Sequence, residues 1–111
     1  RLDMIYYLSG PMKGYEDSNY PLFTKICKLL RDDGVTILSP HEVEKQESYD
    51  DYLRVDIELL MKCGAIIMLP GWTNSKGAML EFTIAVGLNM EVYFYNPVAE
   101  LKSHVLLKMS K

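Results

Sequence analysis

The chain lacks the two commonest nucleotide fingerprints. No GxGxxG follows its first apolar run, and no GxxxxGK[S/T] loop occurs anywhere. Cysteine is scarce: Cys27 and Cys63 are the only two, far from CxxC spacing. Both are expected to be buried thiols in a reducing compartment rather than a disulfide or a metal pair. There is no basic block, and 12 Lys and Arg face 15 Asp and Glu for a net charge of −3. That balance argues against a surface that tracks a nucleic-acid polymer, while a local pocket for one nucleotide remains compatible with it. No apolar run approaches the ~20 residues of a membrane span. Nothing at the start, which opens on Arg1, resembles a signal peptide. A cytoplasmic protein with no membrane partner is the expectation. Repeats, low-complexity segments and linkers are also missing, so the 111 residues are expected to form one domain. Being 49% hydrophobic, the chain has material for a core.

What is present alternates. Residues 4–8 are apolar and aromatic, as a buried strand would be, and the glycines and proline of residues 9–14 end that run. Asp17, Ser18 and Asn19 offer helix caps. From Tyr20, Phe23, Ile26, Cys27, Leu29 and Leu30 recur at helical spacing, and Gly34 supplies the stop. Residues 35–38 form a second strand pattern, closed by Ser39-Pro40. Residues 41–50 have no clear period. Asp50-Asp51 can open a helix with Leu53, Val55, Leu59, Leu60 and Cys63 as its apolar stripe. A third strand pattern covers 65–69. A helix is predicted from Lys76 to about Leu88 with Asn89 as its stop, then a strand over 91–95 ended by Asn96-Pro97, and a terminal helix over about 98–109. Strands separated by helices imply parallel pairing and right-handed crossovers. The predicted fold is an α/β three-layer sandwich with a parallel sheet of four to five strands, Rossmann- or flavodoxin-like.

Residues 64–81 hold the strongest functional signal. A short strand breaks at Pro70-Gly71, a polar loop follows, and a helix begins after Ser75. Open α/β sheets hold their ligands at such carboxyl ends. Glu81 is a lone carboxylate in that helix, and its helical neighbours Gly77, Ala78, Ile84 and Ala85 are small or apolar. It therefore points into or near the sheet, where it needs a partner or a raised pKa. A structural hydrogen bond and a catalytic role both satisfy that demand. Ser75 can cap the helix, hold an anion, or do both. Asp56 stands beside Arg54 and Glu58, as on a solvated helix face. Gly10, Gly14 and Lys13 in the loop after the first strand could let a ligand approach and hold an anion. His41 follows the second strand in a loop. Trp72 and the tyrosines could wall a pocket or fill a core.

Three stretches together resemble the nucleoside 2-deoxyribosyltransferase family, with its nucleotide N-glycosidase relatives and short phage-type members. They are residues 7–12, Tyr-Leu-Ser-Gly-Pro-Met; Arg54-Val55-Asp56 followed by Leu59-Leu60 and Cys63-Gly64-Ala65-Ile66-Ile67; and residues 75–81, which fit Ser-x-Gly-x-x-x-Glu. The resemblance implies an enzyme that cleaves the N-glycosidic bond of a nucleoside or its 5′-monophosphate. Glu81 would be the nucleophile, Asp56 would assist the leaving base as proton donor or position it, and Tyr7 would orient Glu81. Ser9, Gly10, Met12, Lys13, Gly14, His41, Trp72, Ser75 and Gly77 would line the substrate site. The resemblance implies no metal and no redox cofactor. It also implies a homodimer or higher homo-oligomer, with a neighbouring subunit's residue near the C-terminus, Ser103, completing the pocket. A nucleotide-binding or sensing module without turnover is the alternative on the same scaffold.

Overall fold

The computed structural model describes residues 4–98 and 103–109. Eight elements carry the fold: β1 Ile5–Ser9, α1 Tyr20–Asp32, β2 Thr36–Leu38, α2 Tyr49–Leu60, β3 Ala65–Met68, α3 Lys76–Gly87, β4 Glu91–Val98 and β5 Ser103–Lys108. Short 3-10 turns at Glu16–Asn19, Pro40–Glu42 and Trp72–Asn74 sit in the three loops at the carboxyl ends of β1, β2 and β3.

The strands form one sheet in the order β2-β1-β3-β4-β5. The first four run parallel, and β5 is antiparallel to β4. β1 and β3 are hydrophobic on both faces because helices cover both. Leu8 and Ile67 meet Phe23, Ile26, Cys27 and Leu30 of α1, while Tyr7, Ile66 and Met68 meet Leu60 of α2 and Ala78 and Ala85 of α3. α1 thus occupies one face and α2 with α3 the other, which makes the three-layer α/β sandwich. The chain leaves β1 toward β2 on one side and returns past it to β3 on the other. Their carboxyl ends therefore diverge at the topological switch point where doubly wound sheets hold ligands.

The terminal helix expected over 98–109 is instead strand β5, which pairs with β4 from Tyr93↔Lys108 to Val98↔Ser103. The run Val105-Leu106-Leu107 suits either element on local grounds. The open edge of β4 decides for a strand, because pairing satisfies its backbone donors and acceptors. β4 also continues through Asn96-Pro97 to Val98. β3 pairs only with residues 91–94, so Pro97 sits where β4 has one neighbour and no ladder partner on its second side.

A second correction concerns the start of α1. None of Asp17, Ser18 and Asn19 caps it. All three adopt left-handed backbone, with φ of 50°, 55° and 62°, and Asn19 donates its amide to the Pro11 carbonyl at 2.8 Å. Tyr20 begins the helix and Pro21 follows in its first turn, to which the fixed φ of proline is suited. α2 is capped by Ser48, which accepts from the Asp51 amide at 3.1 Å.

Candidate active site

β1 builds the floor of the site. Strand residues two apart share a face, so Tyr7 and Ser9 both point toward α2 and α3, while Leu8 points toward α1. α3 starts at Ser75, whose hydroxyl accepts from the Ala78 amide at 3.2 Å. Small residues on its inner face, Ala78 and Ala85, let it lie close to the sheet. Glu81 lies between them on that face, 4% exposed, directly over Tyr7 and Ser9.

The contacts are specific. Tyr7 Oη donates to Glu81 Oε2 at 2.7 Å, and Ser9 Oγ donates to Glu81 Oε1 at 2.6 Å. Burial raises the Glu81 carboxyl above its ordinary range, and these two hydrogen bonds pull it back. The Tyr7 hydroxyl is itself raised well above 10, first by burial and then by the charge of Glu81. It is therefore a fixed donor.

Asp56 joins from α2. Arg54 and Glu58 on either side are exposed, but Asp56 is half-buried. Its Oδ1 is shielded from solvent and has no hydrogen-bond partner among the described residues. Burial, followed by the charge of Glu81, lifts its carboxyl from 3.8 to about 7. The two carboxyls thus differ in kind. Glu81 has two donors that stabilise its anion, and Asp56 Oδ1 has none. The anion is thus favoured at Glu81 by its donors and disfavoured at Asp56 by burial and by the charge of Glu81.

Aromatic side chains surround this pair. Tyr49 opens α2, and its hydroxyl stands 2.9 Å from where a Cβ on Gly77 would be. A side chain at 77 would have to push this hydroxyl aside. The fields of Glu81 and Asp56 both reach Tyr49, after the effect of its own burial. Tyr20, at the start of α1, feels Asp56 and Tyr52 in the same way. Lys13 lies 5.9 Å over the Tyr49 ring, which brings the loop after β1 to the mouth of the site.

The other residues read from the sequence are spread more widely. Gly10 packs against Leu69, and Gly14 takes a left-handed turn with φ of 86°. Met12 packs on the α1 side of the sheet. His41 is held by Ser39 Oγ at its Nδ1 and lies against the rings of Tyr20 and Phe23. Burial lowers its pKa. A bidentate pair from Arg31 to Glu42, at 2.7 and 2.8 Å, ties its turn to α1. Trp72 stacks with Phe82 and Phe94 and lines a cavity of about 320 Å³ bounded also by Met68, Pro70, Tyr95 and Asn96. A larger hollow of about 530 Å³ lies along residues 15–25, away from the carboxyls. The carboxyl pair, with its donors and shielded oxygen, is chemically the better site. The side chain of Ser103 lies outside the described residues. Among the described residues, no group of three or more His, Cys, Asp or Glu could hold a metal ion, and no helix is long and apolar enough to cross a membrane.

The family described as Domain of unknown function (DUF4406) matches residues 4–94, which include every element of the carboxyl site. The chain belongs to this family. Its fold is shared with solved 2-deoxyribosyltransferases. A 2-desoxiribosyltransferase from Leishmania mexicana is 18% identical with a TM-score of 0.67, over 88% of this chain and 70% of that one. The 2-deoxyribosyltransferase from the psychrotolerant bacterium Bacillus psychrosaccharolyticus is 20% identical with a TM-score of 0.67, over 89% and 77%. That enzyme is described as a biocatalyst for the synthesis of antiviral and antitumoral nucleosides. No curated protein matches the chain by sequence. The resemblance carried by residues 7–12, 54–67 and 75–81 thus extends to the whole architecture.

Two features of the site were not legible in the sequence as the structure places them. Tyr49 was one aromatic among several, and nothing local indicates that it meets Gly77. Ser9, expected to line the substrate site, has its hydroxyl turned onto Glu81. The two-residue spacing of Tyr7 and Ser9 was the available signal, since both must reach whatever covers that face of β1.

Proposed function

We propose that this protein cleaves the N-glycosidic bond of a deoxynucleoside or nucleoside, or of its 5′-monophosphate, through a covalent glycosyl-enzyme intermediate on Glu81. One observation carries the reading: a buried carboxylate held by two hydroxyls lies in the electrostatic reach of a second carboxyl, whose pKa burial and that charge lift to about 7, at the switch point of the sheet. A carboxylate stabilises an oxocarbenium-like transition state by charge and then traps it, as in retaining glycosidases, whose two carboxyls stand about 5 Å apart. In the first step a Glu81 oxygen bonds to the anomeric carbon. The bond from that carbon to the base nitrogen breaks, its electron pair stays on the base, and Asp56 supplies the proton. In the second step water or another base attacks the same carbon and Glu81 leaves as carboxylate. Asp56 takes back a proton from the attacking group. Hydrolysis and base transfer differ only in that second acceptor.

Ser75, Gly77, Lys13 and the loop of residues 10–14 would bind the sugar or its 5′-phosphate in this scheme. From Ser75 to Glu81, six residues at ~1.5 Å each span roughly 9 Å, the scale of a sugar with its phosphate. The deoxyribosyltransferase fold supports a nucleoside substrate. A cytoplasmic homo-oligomer belongs to the same proposal.

The test is Glu81→Gln assayed on a panel of deoxynucleosides and their 5′-monophosphates, with and without a second free base. Loss of base release by at least ~10³-fold is expected, since the nucleophile is gone. Equal rates for the variant and the unaltered protein would refute the assignment. The near-complete burial of Glu81 favours one second reading, a nucleotide-binding module without turnover. Saturable binding with the ligand recovered intact is its signature.

A further inference from the structure

Ser9 ends β1 with no exposed surface. Its single hydroxyl proton goes to Glu81 Oε1 at 2.6 Å, so it cannot donate to a ligand without releasing that carboxylate, and its burial keeps a ligand from its lone pairs. The backbone around it is fixed too. Its carbonyl accepts from the Leu69 amide at 2.8 Å. The next residue, Gly10, has Leu69 Cβ 2.8 Å from where its own Cβ would stand. The ends of β1 and β3 are thereby clamped together beneath α3, and Ser9 has one place to be.

We propose that Ser9 is a positioning residue for Glu81 rather than a contact for the sugar. It grips Oε1 while Tyr7 grips Oε2, and the carboxylate plane is held in one orientation. The role rests on the reading of Glu81 as nucleophile, and its physical basis is independent of any substrate. A carboxylate bonded at a single oxygen can swing about its terminal bond; one bonded at both cannot. Each oxygen accepts through one lone pair from these hydroxyls and keeps another for an incoming carbon. The donors also act against burial by stabilising the ionised form, the one that attacks. Among the described residues, the titratable groups in reach of Glu81 are Tyr7 on β1 and Asp56 and Tyr49 on α2. None of them is a cation. The hydroxyls carry the stabilisation of the anion.

The experiment follows the Glu81 carboxyl by carbon NMR in protein labelled at glutamate side-chain carboxyls, with Glu81→Gln identifying its resonance. Ser9→Ala is expected to raise its titration midpoint by about 1–2 pH units, from the typical strength of a hydrogen bond to a charged group. Ser9→Cys, a weaker donor of similar shape, is expected to fall between, and it serves in place of the alanine variant should that one not fold. Steady-state rates on the nucleoside panel give a second measure. In Ser9→Ala, kcat falls about 10- to 100-fold with KM within a factor of two, and the acid limb of the pH profile moves up with the NMR midpoint. An unmoved midpoint in folded Ser9→Ala and Ser9→Cys overturns the proposal. So does a raised KM at unchanged kcat, which would make Ser9 a sugar contact. If the unaltered protein turns over no nucleoside, the glycosidic reading fails on its own, and the NMR midpoint still decides whether Ser9 holds Glu81.

Discussion

Replacing Asp56 with asparagine is expected to make the protein more stable at pH 8 while leaving it almost unchanged at pH 4. The carboxyl titrates at 3.8 in an ordinary setting and at about 7 in the folded protein, because burial and then the charge of Glu81 disfavour its anion. Between those values the folded state keeps a proton that the unfolded chain has lost. Stability therefore falls as pH rises through this window, and above about 7 the full cost remains. The difference corresponds to a ceiling of about 4 kcal/mol at ~1.4 kcal/mol per pH unit. Asp56 is only half-buried, so solvent screening reduces this to about 1–2 kcal/mol. Asparagine has nearly the same shape and no charge. At about 4 °C per kcal/mol for a domain of this size, the gain in Tm at pH 8 is about 4–8 °C.

Differential scanning calorimetry of both proteins at pH 4, 6 and 8 reads this directly. The Tm difference is expected to grow from near zero at pH 4 to its full value at pH 8. A variant that is less stable at pH 8, or one shifted equally at every pH, would refute the reasoning. The first would mean that Asp56 is ionised and paired, and the second that packing rather than charge is responsible. The same variant carries an activity prediction of opposite sign. Without a proton to give, turnover falls about 10²- to 10⁴-fold below pH 7, and the alkaline limb near pH 7 disappears. More stability with less activity is the expected mark of a functional group held at a cost to the fold.

Two further substitutions test the frame of the site. Ser75→Ala removes the acceptor for the Ala78 amide, and urea denaturation is expected to show a loss of about 0.5–2 kcal/mol that Ser75→Asp largely restores. Gly10→Ala places a methyl 2.8 Å from Leu69 Cβ. A loss of about 1–3 kcal/mol is expected from that overpacking, and a neutral result would show that the ends of β1 and β3 are not clamped.

Much of this architecture is legible in the chain. The alternation of short apolar runs with amphipathic stretches gives the parallel order, because consecutive strands separated by helices leave few alternatives. Gly34 and Asn89 end their helices in left-handed backbone, as their residue types suggest. Where local signals failed, a distant partner decided. Residues 103–108 pair with β4, and no window within them contains β4. Asn19 has cap chemistry, yet its amide is claimed by Pro11, eight residues earlier. The site divides in the same way. The burial of Glu81 follows from the small residues beside it. The shielding of Asp56 does not, because Arg54 and Glu58 suggest an open face and only the packing of α2 removes Oδ1 from water.

That division bears on how the site is constructed. Two carboxylates brought together in a buried place repel, and one of them must keep a proton unless donors intervene. Here the donors intervene on one side only. Both come from β1, the strand between β2 and β3, where neighbours on each side hold the backbone in register. Tyr7 and Ser9 reach upward to α3, and among the described residues no donor reaches Asp56 Oδ1 on α2. The difference in surroundings between the two carboxyls is thus written into the side chains of a single strand, two residues apart. The loops at residues 10–14 and 70–74 border the site without touching this arrangement of hydrogen bonds. In the proposed reaction, the strand sets the protonation of the pair, and the loops are left to recognise the substrate.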